Sequence, residues 1–192
     1  MKQNRFLKYF LVLASFLFIA QCAGAYGSGE AQASAEGPPA KFTLPAPDSA
    51  QAQQYLGLKK MEPFSVSDIG AKLVVIDFVT AMCPKCQANA PVVNRLYKLI
   101  QEDPGLSKNV KVIGVAVGNT KQEADAFKKG FKVPFPIFPD EGMAISASME
   151  GVETPTLMVV AGQSGKVLAG HEGIINDFDA VVKDLREILK KQ

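Results

Sequence analysis

VVIDFVTAMCPKCQANAP, Val74–Pro91, carries an apolar run straight into two cysteines. With Lys72 and Leu73 before it, the stretch 72–80 is nearly continuous in Val, Ile and Phe. Branched residues in that density, without alternation, mark a strand covered on both faces. From Pro84 the pattern changes. Val92, Val93, Leu96, Leu99 and Ile100 recur at helical spacing, so a helix is expected from Pro84 to about Glu102. Proline suits the first helical position, where its missing N–H costs nothing. Cys83 then stands at a helix N-terminus, where unpaired N–H groups and the helix dipole stabilise a thiolate. Lys85 adds a positive charge nearby. Cys86 lies on the same side of the first turn, within reach of a disulfide with Cys83.

Such a pair has competing uses. A structural zinc wants four ligands, commonly two such knuckles or a Cys pair with a His pair. This chain offers one knuckle and one histidine, His171. A structural staple gains little, because the chain-entropy benefit grows with loop length and this loop is very short. Two core thiols are the plain alternative, and a proline-initiated helix start argues against it. In the redox reading Cys83 attacks, and Cys86 resolves the mixed disulfide.

The rest of the chain supplies a sheet and its helices. VKVIGVAVG (110–118) reads as a second buried strand. A short helix is expected over 120–130, with Thr120 as N-cap, Glu123 three residues later and Gly130 as its stop. FPIFPD is a proline-bounded strand fragment and EGMAISASM a short helix. Strands over 156–162 and 166–173 are joined by the turn GQSG. The last segment is amphipathic, with Phe178, Val181, Val182, Leu185, Ile188 and Leu189 on one face. A helical turn is expected around Ala50–Tyr55. The order β-α-β-α, then β-β-α, implies an α/β domain: a central mixed sheet with helices on both sides.

The N-terminus lies apart from that core. Lys2, Arg5 and Lys8 precede FLVLASFLFIA, the n-region and h-region of an export signal. The run is too short to span a bilayer well, since a spanning helix needs about 20 apolar residues. IAQC ends it and resembles the lipobox of bacterial lipoproteins, in which the cysteine, here Cys22, is lipidated. Gln21 occupies the place where that pattern wants a small residue. Cleavage after Ala23-Gly24-Ala25 is the alternative, and both readings export the chain. Either leaves Cys83 and Cys86 as the only other cysteines, in a compartment that permits disulfides. Residues 23–41 are rich in Gly, Ala, Ser and Pro and read as a flexible tether, with the folded domain over 42–192. The net charge of +2 is too small to suggest nucleic acid.

VVIDFVTAMCPKC, ANAP and ETPTLMVVAGQSGKV resemble the thioredoxin superfamily. Within it the chain is similar to the exported, membrane-tethered TlpA/ResA-like thiol–disulfide oxidoreductases. The resemblance covers about residues 42–192. It implies a thioredoxin-like fold and a Cys83–Cys86 redox disulfide, with no cofactor. It implies exported cysteine proteins as clients, a membrane thiol as electron donor, and a lipid anchor in the cell envelope, facing the periplasm or exterior. Reduction of apocytochrome c cysteines is the client chemistry that the analogy suggests. Asp77 holds the place of the family's buried acid beneath the pair. A charged, unpaired Asp in an apolar strand costs several kcal/mol, so its pKa should rise, fitting it to shuttle the proton of the resolving thiol. Thr154-Pro155 matches the family's cis-proline, which faces the disulfide and presents backbone groups to substrate. Pro91 matches the kink in the active-site helix. Met82, Pro84 and Lys85 complete the client-facing surface. The chain departs from the family at three places. Met82 stands where a Trp is usual, Asn89 where many TlpA/ResA-like members carry a Glu, and GVETPT is one residue shorter than usual between the Val and the Pro.

Two other classes compete. The stretch 110–142 is similar to peroxiredoxin-type sequence, and Thr80-x-x-Cys83 echoes that family, so a thiol peroxidase is the second reading. A copper or haem chaperone using Cys83, Cys86 and His171 is the third. His171 is expected in an exposed loop, and Met82, Met143, Met149 and Met158 as packing residues.

Overall fold

The computed structural model describes residues 37–39, 41–149 and 151–192. The signal segment, Cys22 and the tether up to residue 36 lie outside the described residues.

The expected central strand is β4 (Leu73–Val79), and all seven of its residues are buried. Its neighbours make a six-stranded sheet with β1 (Gly37–Pro39), β5 (Val110–Val117), β6 (Ile137–Asp140), β7 (Thr156–Ala161) and β8 (Lys166–Glu172). The strand order is β1-β8-β7-β4-β5-β6. β4, β5 and β6 run parallel, while β7, β8 and β1 each pair antiparallel with their neighbour. β1 falls inside the stretch expected as tether, so pairing with the sheet begins at Gly37, upstream of Phe42. β2 (Thr43–Leu44) and β3 (Phe64–Ser65) form a separate two-stranded pair.

Alternate residues of β4 serve two cores. Leu73, Val75 and Val79 pack with α2 (Pro84–Glu102), α3 (Pro104–Ser107), α4 (Lys121–Gly130) and α6 (Phe178–Lys190). Val74, Ile76 and Phe78 face the other way, toward α1 (Ala50–Leu56), α5 (Ala144–Ala147) and the β2–β3 pair. The mixed sheet with helices on both faces is the expected architecture. The apolar face of α6 also packs as its spacing requires: Leu185 is buried, and Phe178, Val181, Val182, Ile188 and Leu189 line the α2-side core. Two contacts pin α6 from its flanks, Arg186 to Asp103 at 2.8 Å and Arg95 over the Phe178 ring at 3.9 Å.

Local capping follows the sequence. Thr120 and Glu123 form the capping box of α4. The helix ends at Gly130 as expected, and the left-handed residue follows at Lys132, with φ of 52°. After β6, both oxygens of buried Asp140 accept backbone N–H bonds, from Ile145 and Ser146, each at 2.9 Å. That closes the start of α5 at the same end of the sheet as Cys83. Among the described residues no helix is long and apolar enough to cross a membrane.

Candidate active site

The chain leaves β4 at Val79 and enters α2 at Pro84, so Thr80–Cys83 form the turn above the C-terminal edge of the parallel strands. Parallel strands expose their loops at that edge, where α/β sheets place their chemistry. Cys83 caps α2 in an extended conformation, with Pro84 in the first helical turn. Its sulfur accepts the Cys86 N–H at 3.4 Å. Both cysteines are free thiols, Cys86 buried and Cys83 partly exposed.

The two thiols are pushed in opposite directions. Burial tends to raise Cys83, but hydrogen bonds from the Cys86 thiol, the Cys86 and Lys85 N–H groups and Thr154 outweigh it, so its pKa falls below the ordinary thiol value. Lys85 acts here through its backbone N–H. Burial, and then the hydrogen bond to Cys83, push Cys86 up to about 11. At neutral pH the pair therefore holds an exposed nucleophile and a buried, protonated partner.

Asp77 lies on the α2 side of the sheet. The alternation that gives Val75 and Val79 to that core gives Asp77 to it as well. It sits opposite Gly114 on β5 and Leu157 on β7, neither of which offers a side-chain donor. The space beside Gly114 belongs to Ile137, whose Cγ1 would stand 2.9 Å from any Cβ added there. Asp77 is 4% exposed and its Oδ1 has no hydrogen-bond partner. Burial lifts its pKa to about 7.

The Thr154–Pro155 bond is cis. The Thr154 carbonyl faces the pair and accepts from the Cys83 thiol at 3.8 Å. Its hydroxyl donates to the Thr80 hydroxyl at 3.3 Å, which donates on to the Val117 carbonyl at 3.2 Å. Two elements distant in sequence are thereby fastened across the site. Met82 is 81% exposed beside Cys83, and Met143 is exposed too, so these two are not the packing residues their spacing suggested. Pro84 and Lys85 are exposed as well.

The fold thus brings Cys83, Cys86, Thr154 and Pro155 together, with Met82, Pro84 and Lys85 on the open side. Asp77 lies on the same strand that leads into their turn and on the α2 side of the sheet. His171 corrects an expectation. It lies in β8 opposite Leu157, half-buried, with Nε2 at 3.2 Å from the Ile174 carbonyl oxygen. Among the described residues no group of three or more His, Cys, Asp and Glu side chains could hold a metal ion. Asn89 has a role its position in the helical pattern did not reveal. It is buried, and its Oδ1 accepts the Ile175 N–H at 3.0 Å.

Residues 40–176 match the AhpC/TSA family. The chain belongs to that family. Over 133 residues it is 27% identical to the thiol-disulfide oxidoreductase ResA of Bacillus thuringiensis subsp. konkukian, covering 69% of each chain. The fold is similar to that of a Chlorobium tepidum chain assigned as a thiol:disulfide interchange protein DsbE. That likeness has a TM-score of 0.62 and 21% identity, over 81% of this chain and 98% of that one. It is similar also to a secreted Mycobacterium tuberculosis disulfide oxidoreductase, with a TM-score of 0.54 and 17% identity, over 74% and 92%. At these identities the two structures establish a thioredoxin-like fold. With the ResA-like relative and the dithiol, this AhpC/TSA-family chain is a thiol–disulfide oxidoreductase of the TlpA/ResA-like kind.

Proposed function

We propose that this oxidoreductase works outside the cytoplasm, tethered to a membrane through Cys22, and reduces disulfides in exported proteins through its Cys-Pro-Lys-Cys pair. The observation that carries the reading is the split between the two thiols at one helix start. Cys83 is lowered and accessible, and Cys86 is raised and buried.

The exchange runs in two steps. The Cys83 thiolate attacks one sulfur of a client disulfide. That bond breaks, a mixed disulfide forms on Cys83, and the other client sulfur leaves as a thiolate. Cys86 then gives its proton to the Asp77 carboxylate and attacks the Cys83 sulfur, releasing the second client sulfur. Two electrons pass to the client, whose thiolates take protons from solvent. Cys83 and Cys86 end as a disulfide, which a membrane dithiol reduces again. The Thr154 carbonyl, Met82, Pro84 and Lys85 form the surface that meets the client. The ResA-like resemblance suggests cytochrome c maturation as the setting, with apocytochrome cysteines as clients.

The midpoint potential of Cys83–Cys86, measured in thiol/disulfide buffers with an alkylation gel shift, tests this. A value near about −270 mV, in the thioredoxin range, is expected of a reductant. A value near about −120 mV, that of a strong periplasmic oxidant, would reverse the direction and remove the cytochrome setting. The tether is tested separately: Cys22→Ser should move the protein from the membrane to the soluble fraction.

A further inference from the structure

The turn that delivers Cys83 is gripped at its second residue. Ala81 donates its N–H to Asn119 Oδ1 at 2.8 Å. Its carbonyl accepts from Gln87 Nε2 at 2.9 Å. The turn itself is closed by the Cys83 N–H on the Thr80 carbonyl at 3.0 Å. Asn119 comes from the loop between β5 and α4, and is 4% exposed. Gln87 comes from the first turn of α2. Ala81 thus has both backbone groups fixed by side chains from two separate elements.

Asn119 also immediately precedes the capping box of α4. The Glu123 carboxyl is held below its usual range by the Thr120 N–H and hydroxyl, with the Asn119 amide adding to them. The Thr120 contacts measure 2.8 and 2.9 Å. The Asn119 oxygen therefore accepts from the active-site turn, while its own backbone runs straight into the capped start of α4. An aliphatic side chain at this place could not accept.

We propose that Asn119 is a positioning residue for Cys83: by accepting the Ala81 N–H it holds the turn in register with the N-terminus of α2, and Gln87 holds the same turn from the helix side. The reason is geometric. The Cys83 thiolate is stabilised only while its sulfur faces the Cys86 and Lys85 N–H groups. A turn freed at Ala81 would let the sulfur move off that cluster. The proposal rests on Cys83 as the nucleophile of the exchange.

Its test is the pH profile of Cys83 alkylation by iodoacetamide in the full-length reduced protein. Cleavage after Lys85 separates Cys83 from Cys86 on different tryptic peptides, so mass spectrometry reads each alone. In Asn119→Ala the rate on the acid limb should fall about three- to tenfold, a pKa rise of about half to one unit. The plateau above the pKa should be unchanged. Gln87→Leu should shift the profile in the same direction. A folded Asn119→Ala whose profile overlies the wild type would overturn the proposal. If Asn119→Ala does not fold, an unchanged profile in Gln87→Leu overturns it equally. A wild-type Cys83 with an ordinary thiol pKa would instead remove the nucleophile assignment beneath it.

Discussion

The Cys86 N–H points at the Cys83 sulfur from 3.4 Å, and this contact separates two chemically identical side chains. Cys83 sits before the first turn of α2 and receives the helix's unpaired N–H groups. Cys86 sits inside that turn, where its own thiol is buried and faces the sulfur whose pKa those groups lower. Pro84 prepares this asymmetry by starting the helix between them.

The first prediction concerns that order of attack. Cys83→Ser should abolish reduction of protein disulfides, because no other thiolate faces the client. Cys86→Ser should retain the first step and lose the second. Mixed disulfides with clients should then accumulate on Cys83, visible as high-mass bands that dithiothreitol dissolves. Accumulation on Cys83→Ser instead would exchange the two roles.

Asp77 predicts a stability that falls as pH rises. Its carboxyl is raised in the folded chain to about 7, from the ordinary 3.8 of a free Asp. The folded state thus holds the proton over a window where the unfolded chain has lost it. Stability is highest below the unfolded pKa, declines between about 4 and 7, and is level above the folded value. At 1.36 kcal/mol per unit the whole decline is of the order of 4 kcal/mol at most. Asn is neutral at every pH. Asp77→Asn should therefore exceed the wild type in denaturant midpoint at pH 8, and the gap should close toward pH 4. The same variant should slow resolution by Cys86. A constant gap across that range would mean that Asp77 is not the group that titrates.

Asn89 predicts an effect on stability without one on redox chemistry. Its Oδ1 satisfies the Ile175 N–H, in the loop between β8 and α6. Asn89→Ala leaves that donor buried and unpaired, a loss of roughly 1–3 kcal/mol. Urea denaturation of the reduced protein should show it. The Cys83–Cys86 potential should stay within error of the wild type, and a shifted potential would assign Asn89 to the dithiol itself.

The sheet was legible because β4 and β5 are written in branched apolar residues, which few other structures accommodate. The start of α2 was legible because Pro84 can begin a helix and cannot sit inside one without cost. Asp77 could be suspected as buried, since Phe78 and Val79 continue the strand beyond it. Its place opposite Gly114 and Leu157 is a matter of register between strands far apart in sequence. The grip of Asn119 on Ala81 was hidden for the same reason. Nothing in a Gly-Asn-Thr turn records that its amide reaches across to another loop. Glycines flank His171 and suggest a loop, whereas pairing with β7 makes it part of β8.

Met82 predicts a separation between clients and small disulfides. The side chain is 81% exposed, so it contributes little to the fold, and Met82→Ala should change stability by about 0.5 kcal/mol or less. A thioether on a flexible stem adapts to varied apolar surfaces. Covering it against a client would gain on the order of 1.5 kcal/mol, near a tenfold change in KM for a protein disulfide. A small disulfide such as dithionitrobenzoate reaches Cys83 without covering Met82, so its rate should not change. Steady-state reduction of both substrates by Met82→Ala decides the matter. Equal losses on the two would mean that Met82 acts on the Cys83 thiolate rather than on the client, and the open face beside the dithiol would have to be sought around Pro84 and Lys85.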